Sequence, residues 1–224
     1  MFGRKKIAMV VAEFLGTGIL TLVVLGVSKS TIGIPYFVSI AAGLVVAGVT
    51  LSLGAVSGAH LNPAISIGLW TTRKAKTIPT VVYVAAQLLG AGAAYMLFTY
   101  FVGQHWSNSG KYDAHMLVGE AVGTFIFSLG WAAAAFRKLP LGQAATVIGI
   151  SLTLGIIAAS ATGAGSLNPA VALGVRNWVW GTNVLGPILG AVIAFNLYAL
   201  LFAPAASLLE TETTKSVKSD KKKK

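Results

Sequence analysis

The chain has no cysteine in 224 residues, which excludes disulfides, thiolate metal sites and a cysteine nucleophile. Charge is almost as scarce. Charged side chains make up 10% of the chain, where a soluble domain carries about a quarter. Only six residues are acidic and only three are histidine. His60, His105 and His115 are too scattered to suggest a zinc site, and no nucleophile–base set is visible. No metal, no cofactor and no enzymatic activity are therefore expected. What fills the chain is apolar: 55% of residues are hydrophobic and the mean hydropathy is +0.78. The apolar stretches run about 20 residues without charge, the length of a helical membrane span, whereas a membrane strand alternates over about 10. The expected fold class is an all-α membrane protein. A net charge of +11 would point to nucleic acid in a soluble protein. Here the basic residues sit where membrane topology places them, so the expected partner is the lipid bilayer and no nucleic acid.

Six long apolar segments can be drawn, roughly Ile7–Val27, Tyr36–Gly54, Thr80–Val102, His115–Ala135, Leu141–Ser160 and Gly181–Pro204. Each is long enough to cross a bilayer core at about 1.5 Å per residue. Met1-Phe2-Gly3-Arg4-Lys5-Lys6 leads into a run too long for a cleaved leader, so the first helix is expected to be retained. Two shorter apolar pieces, Asn62–Trp70 and Asn168–Val179, are about half a span and read as re-entrant half-helices. Lys and Arg fix the orientation. With both termini cytoplasmic, Arg4, Lys5, Lys6, Arg73, Lys74, Lys76, Arg137, Lys138 and the six tail lysines lie inside, and Lys29, Lys111 and Arg176 outside. Tyr95 and Trp131 read as structural, and Trp70, Trp178 and Trp180 as interfacial anchors.

The most specific feature is a repeat. Asn62-Pro63-Ala64 and Asn168-Pro169-Ala170 share their flanks: Leu61 to Gly68 matches Leu167 to Gly174. Asn followed by Pro starts a helix, with Asn as the cap and Pro at the first helical position. Such a start at membrane depth leaves backbone N–H groups that lipid cannot satisfy, so it must line a cavity or pack in protein. Glu13-Phe14-Leu15-Gly16-Thr17 is echoed by Glu120-Ala121-Val122-Gly123-Thr124. Three spans per half give the two copies opposite orientation, an inverted 3+3 repeat of the kind used for transport.

With Ser57-Gly58-Ala59-His60-Leu61-Asn62-Pro63-Ala64, the second Asn-Pro-Ala and the Glu-x-x-Gly-Thr pair, the chain resembles the aquaporin and aquaglyceroporin (major intrinsic protein) family over nearly its whole length. The resemblance implies six transmembrane helices plus two re-entrant half-helices. It implies a homotetramer with one pore per subunit, in the cell (inner) membrane. Residues 1–206 would be the channel domain, with repeats about 7–102 and 115–204. The polar, basic segment 207–224 reads as a disordered cytoplasmic tail. The half-helices would meet end to end, with Asn62 and Asn168 presenting amide N–H donors to passing solute. Simple capping by these asparagines is compatible with that. By resemblance His60 faces the cytoplasmic half of the pore; a pin held by backbone carbonyls is the other reading. Glu13 and Glu120 are expected to accept hydrogen bonds from re-entrant backbone, with proton coupling as the sharper alternative.

The chain departs from the family at the outer constriction. The Arg that usually follows the second Asn-Pro-Ala is Val171 here. Motif spacing carries the other three filter positions to Ala42, Ile156 and Gly165. The implied ring is wide, apolar and uncharged, and Arg176, five residues further on, is expected at the outer surface rather than in the ring. The leading expectation is a passive channel for water and small neutral solutes, with polyols, urea or neutral metalloid hydroxides as family-based candidates. Altered permeability to ions or gases, a coupled transporter and a closed structural protein are the alternatives.

Overall fold

The computed structural model describes residues 3–31 and 33–203. The tail expectation for 207–224 and the end of the sixth segment at Pro204 fall outside those residues. Among the described residues eight α-helices follow in order: α1 Arg4–Ser28, α2 Pro35–Ser57, α3 Pro63–Thr71, α4 Thr77–Val102, α5 Ala114–Arg137, α6 Leu141–Ser160, α7 Pro169–Gly174 and α8 Gly186–Leu201. A π-helical turn, Trp180–Leu185, runs directly into α8. There is no strand among the described residues. α1, α2, α4, α5, α6 and the π-turn with α8 are each long and apolar enough to cross a membrane. The first span starts three residues earlier than expected and takes in Arg4, Lys5 and Lys6.

The two halves are interlocked. Within each, α1 packs on α2 and α4, and α5 on α6 and α8; α2 and α6 join the halves. The short helices cross over, α3 packing on α8 of the other half and α7 on α4. Helix direction then sorts the ends onto two faces. Tyr83, near the start of α4, donates its hydroxyl to the Ser57 carbonyl at the end of α2. Lys74 lies 4.4 Å from the ring centre of Phe136 at the end of α5. Arg4, Arg73–Lys76 and Arg137–Lys138 thus share one side, the basic face. The α1–α2 turn and the segment between α4 and α5 lie on the opposite face.

α7 corrects an expectation. It covers Pro169–Gly174 instead of continuing to Val179. Arg176 adopts φ +62°, which an α-helix cannot hold. The chain is held there from a distance. Ser109 N–H donates to the Arg176 carbonyl, and Asn108 bonds Trp178 through both its amide oxygen and nitrogen. The segment beyond α7 belongs to the surface of the opposite face, not to the half-helix.

Close helix approach depends on glycine at matched places in the two halves. A Cβ on Gly90 of α4 would collide with the Phe14 carbonyl of α1. One on Gly190 of α8 would collide with the Ala121 carbonyl of α5. Phe14 and Ala121 each follow the repeated glutamate, so the same crossing is built twice. Gly92, by contrast, has open space where its Cβ would lie. Gly90→Ala and Gly190→Ala are each expected to destabilise the protein by about 1–3 kcal/mol through overpacking. Gly92→Ala should leave it unchanged or more stable, since alanine favours the helix. Thermal unfolding midpoints in detergent check all three.

Candidate functional site

Both re-entrant helices begin as the sequence predicts. Asn62 is extended, and its side-chain oxygen accepts the Ala64 N–H at 2.8 Å. Asn168 does the same for Ala170 at 2.9 Å and Val171 at 3.3 Å. Pro63 and Pro169 occupy the first helical position, where the missing N–H is no loss.

The amide nitrogens do something the sequence did not reveal. Asn62 Nδ2 donates to the Leu167 carbonyl at 2.7 Å, and Asn168 Nδ2 donates to the Leu61 carbonyl at 2.8 Å. Each asparagine therefore clamps the residue just before the other. A primary amide has two N–H donors, so one remains beyond the clamp. Leu61 and Leu167 both sit at positive φ, +54° and +47°, where a leucine is strained. Each is held from both ends: its carbonyl by the opposing asparagine, and its N–H by a buried glutamate.

Those glutamates are Glu13 and Glu120, both without solvent exposure. Glu13 Oε1 accepts from His60 N–H and the Ser57 hydroxyl, and Oε2 from Leu61 N–H and Gln87 Nε2, all within 3.0 Å. Glu120 accepts from the N–H groups of Gly165, Ser166 and Leu167 at 3.0, 2.8 and 2.6 Å, with Asn183 Nδ2 at 3.4 Å. Gly165 is at φ +145°, a backbone state that favours glycine, and this lets its N–H join the set. Gln87 and Asn183 had not been singled out as partners. They are isolated polar residues in apolar helices or loops, and no periodic pattern marks them.

Beside this junction lies a cavity of about 230 Å³. It runs from Ser28, Gly33 and Pro35 at the opposite face inward to Asn62, Asn168 and His60. Ala42, Ile156, Gly165 and Val171 all line it. So do Leu20, Val24, Phe127 and Leu152, which motif spacing had not indicated. The apolar side chains come mainly from the long helices; Asn62, Asn168, Ser166 and His60 form a polar stripe from the re-entrant segments. No Asp, Glu, Lys or Arg is among the lining residues. The His60 ring meets Tyr83 and Trp131 edge-on, and its Nδ1 lies 3.1 Å from the Ser66 hydroxyl. It is thus both a lining residue and a packed one. Arg176 does not line the cavity. Its Nε donates to the Trp106 carbonyl at 3.2 Å and its guanidinium lies over Tyr95.

Comparison with known proteins agrees with this architecture. The sequence profile of the family described as Major intrinsic protein matches residues 3–198. Aquaporin AqpM of Methanothermobacter thermautotrophicus is 34% identical, over 73% of this chain and 76% of its own. Aquaporin Z of Photorhabdus laumondii is 32% identical, over 86% of this chain and 96% of its own. Among solved structures, the aquaglyceroporin from Plasmodium falciparum matches with a TM-score of 0.74, covering 91% of this chain and 99% of that one. At 23% identity this last likeness speaks to the fold.

The glutamate cradles generate a prediction. Glu120→Gln keeps the shape but offers one acceptor oxygen in place of two, and turns an N–H group toward other donors. Because each buried donor left bare costs about 1–3 kcal/mol, the variant is expected to lower the unfolding midpoint in detergent clearly. An unchanged midpoint would mean that the three backbone donors do not need the carboxylate.

Proposed function

The chain belongs to the major intrinsic protein family and is a multi-pass membrane channel for water or small solutes, and from that premise we propose a passive pore passing beside the Asn62–Asn168 junction. The observation that carries this reading is the uncharged cavity that ends on both asparagines. Water or a solute hydroxyl reaching that point meets the remaining amide donors while an aliphatic wall lies opposite. Both half-helix N-termini also face the junction, so the local field is positive. A neutral molecule with acceptor oxygens is stabilised there, and a cation is not.

The solute class follows from the ring of Ala42, Ile156, Gly165 and Val171. With no arginine and no large aromatic, it supplies width but neither charge nor hydrogen bonds. We infer that it admits molecules larger than water, with small polyols and urea as the favoured cargo alongside water. The alternating apolar and polar walls suit a polyol, which has a carbon flank and a hydroxyl flank. Neutral metalloid hydroxides share the relevant chemistry.

The same reading places the protein in the cell membrane with the basic face and both termini cytoplasmic, as the positive-inside rule requires. It makes residues 1–206 one channel domain, and the assembly a homotetramer by family resemblance. The buried carboxylates act as backbone acceptors, which favours passive conduction over proton-coupled transport.

Stopped-flow light scattering on proteoliposomes tests the proposal. Osmotic shrinkage in sucrose is expected to be faster than in protein-free vesicles, followed in glycerol by re-swelling faster than in those vesicles. Val171→Arg places a long cationic side chain in the ring. The glycerol-to-water permeability ratio should then fall by about tenfold, equivalent to a barrier raised by about 1.4 kcal/mol. An unchanged ratio would remove Val171 from the ring. Ionic current in planar bilayers that scales with protein content would favour the ion-permeable alternative.

A further inference from the structure

Three helices line the cavity at its inner end: α2 through Val46, α5 through Phe127 and α6 through Leu152. Four residues further toward the basic face, on the same side of each helix, stand Thr50, Trp131 and Ile148. None of these lines the cavity, and they are 3%, 6% and 1% exposed. Three buried side chains therefore stand one helical turn beyond the lining residues. Trp131 is the largest of them. Its ring is edge-on to His60 at 5.6 Å, and His60 is itself a lining residue.

Polar atoms without a partner occur in this layer, as they do at Thr17, Thr21, Gln87, Thr124 and Ser128, but the indole N–H of Trp131 is the largest such group among them to sit beside a lining residue. Trp131 Nε1 and the Thr50 hydroxyl are buried and have no hydrogen-bond partner. A buried indole N–H ordinarily finds an acceptor. Around the half-helix junction the backbone donors facing Glu13 and Glu120 are all accepted. One helical turn from the lining residues Phe127 and Val46, the Trp131 and Thr50 donors have no acceptor.

We propose that Trp131, with His60, Thr50 and Ile148, forms a second constriction on the basic-face side of the asparagine junction, and that the Trp131 indole N–H and the Thr50 hydroxyl bind the permeating molecule there. The inference rests on the pore reading above and deepens it. The ring of Ala42, Ile156, Gly165 and Val171 has neither bulk nor donors, so it discriminates poorly among neutral solutes. Bulk and donor are both supplied at Trp131. A water or hydroxyl oxygen accepts from Nε1, while the carbon side of a small polyol lies against Ile148 and Phe127. Trp131 thereby sets the upper size limit and replaces part of the solute's lost hydration.

The experiment is the same proteoliposome assay with water, glycerol and the four-carbon polyol erythritol. Wild type is run beside Trp131→Ala, Trp131→Leu and Trp131→Phe. Trp131→Ala removes the bulk and is expected to raise the erythritol-to-water ratio at least about fivefold; Trp131→Leu should do so less strongly and stands in if the alanine variant does not fold. Trp131→Phe keeps an aromatic ring without the N–H. It should lower water flux by about threefold to tenfold, the worth of one neutral hydrogen bond. A merely structural tryptophan would shift thermal stability without moving the solute ratio. Folded Trp131→Ala or Trp131→Leu with a ratio within about twofold of wild type would overturn the constriction while leaving the channel intact. Wild type and all variants no faster than protein-free vesicles would overturn the channel reading itself.

Discussion

A helix that starts inside a membrane has backbone N–H groups with nowhere to go. This chain has two such starts, at Asn62 and Asn168, and the rest of the site is organised around satisfying them. Each asparagine caps its own helix with an oxygen and clamps the opposite strand of backbone with a nitrogen. Each buried glutamate then gathers the donors of the approach to its half-helix. The strained left-handed leucines before the asparagines are tolerated because they are bonded at both ends. Removing any one partner leaves a polar group bare at membrane depth, where lipid cannot satisfy it.

That constraint also shapes function. A junction whose acceptors are taken up by protein and whose residual groups are donors faces the cavity as a donor surface. The carboxyl groups of Glu13 and Glu120 are turned into the backbone cradles, and neither residue lines the cavity. On the proposed reading, what is left for a permeating molecule is a mild positive field, amide hydrogens and aliphatic walls. This combination suits neutral oxygen-bearing solutes. Val171, which stands directly after the second Asn-Pro-Ala, enters the cap through its backbone N–H alone, so its side chain is free to vary without disturbing the junction.

Much of this was legible in the sequence, because bilayer physics is written in coarse signals. Twenty-residue apolar runs mark the spans, the Asn-Pro pairs mark the half-helix starts, and the repeated Glu-x-x-Gly-Thr marks the inverted halves. The end of α7 was not legible. Arg176 turns left-handed because Asn108 and Ser109, almost seventy residues earlier, capture the chain beyond it, and no local pattern encodes that. The cross-clamp was also hidden, since its acceptors are backbone carbonyls, which every residue has. Gln87 and Asn183 look like stray polar residues until the fold brings them to a carboxylate. Trp131 reads as an ordinary core aromatic until its indole nitrogen is found without a partner next to His60.

The central claim is that a donor-lined junction passes neutral molecules and refuses protons even though no Lys or Arg lines the cavity. It is tested most directly by measuring osmotic water flux and proton flux in the same proteoliposomes, with a pH-sensitive dye trapped inside. The account predicts rapid water movement and a proton leak no greater than in protein-free vesicles. A proton leak that rises in step with water flux as protein content increases would contradict it.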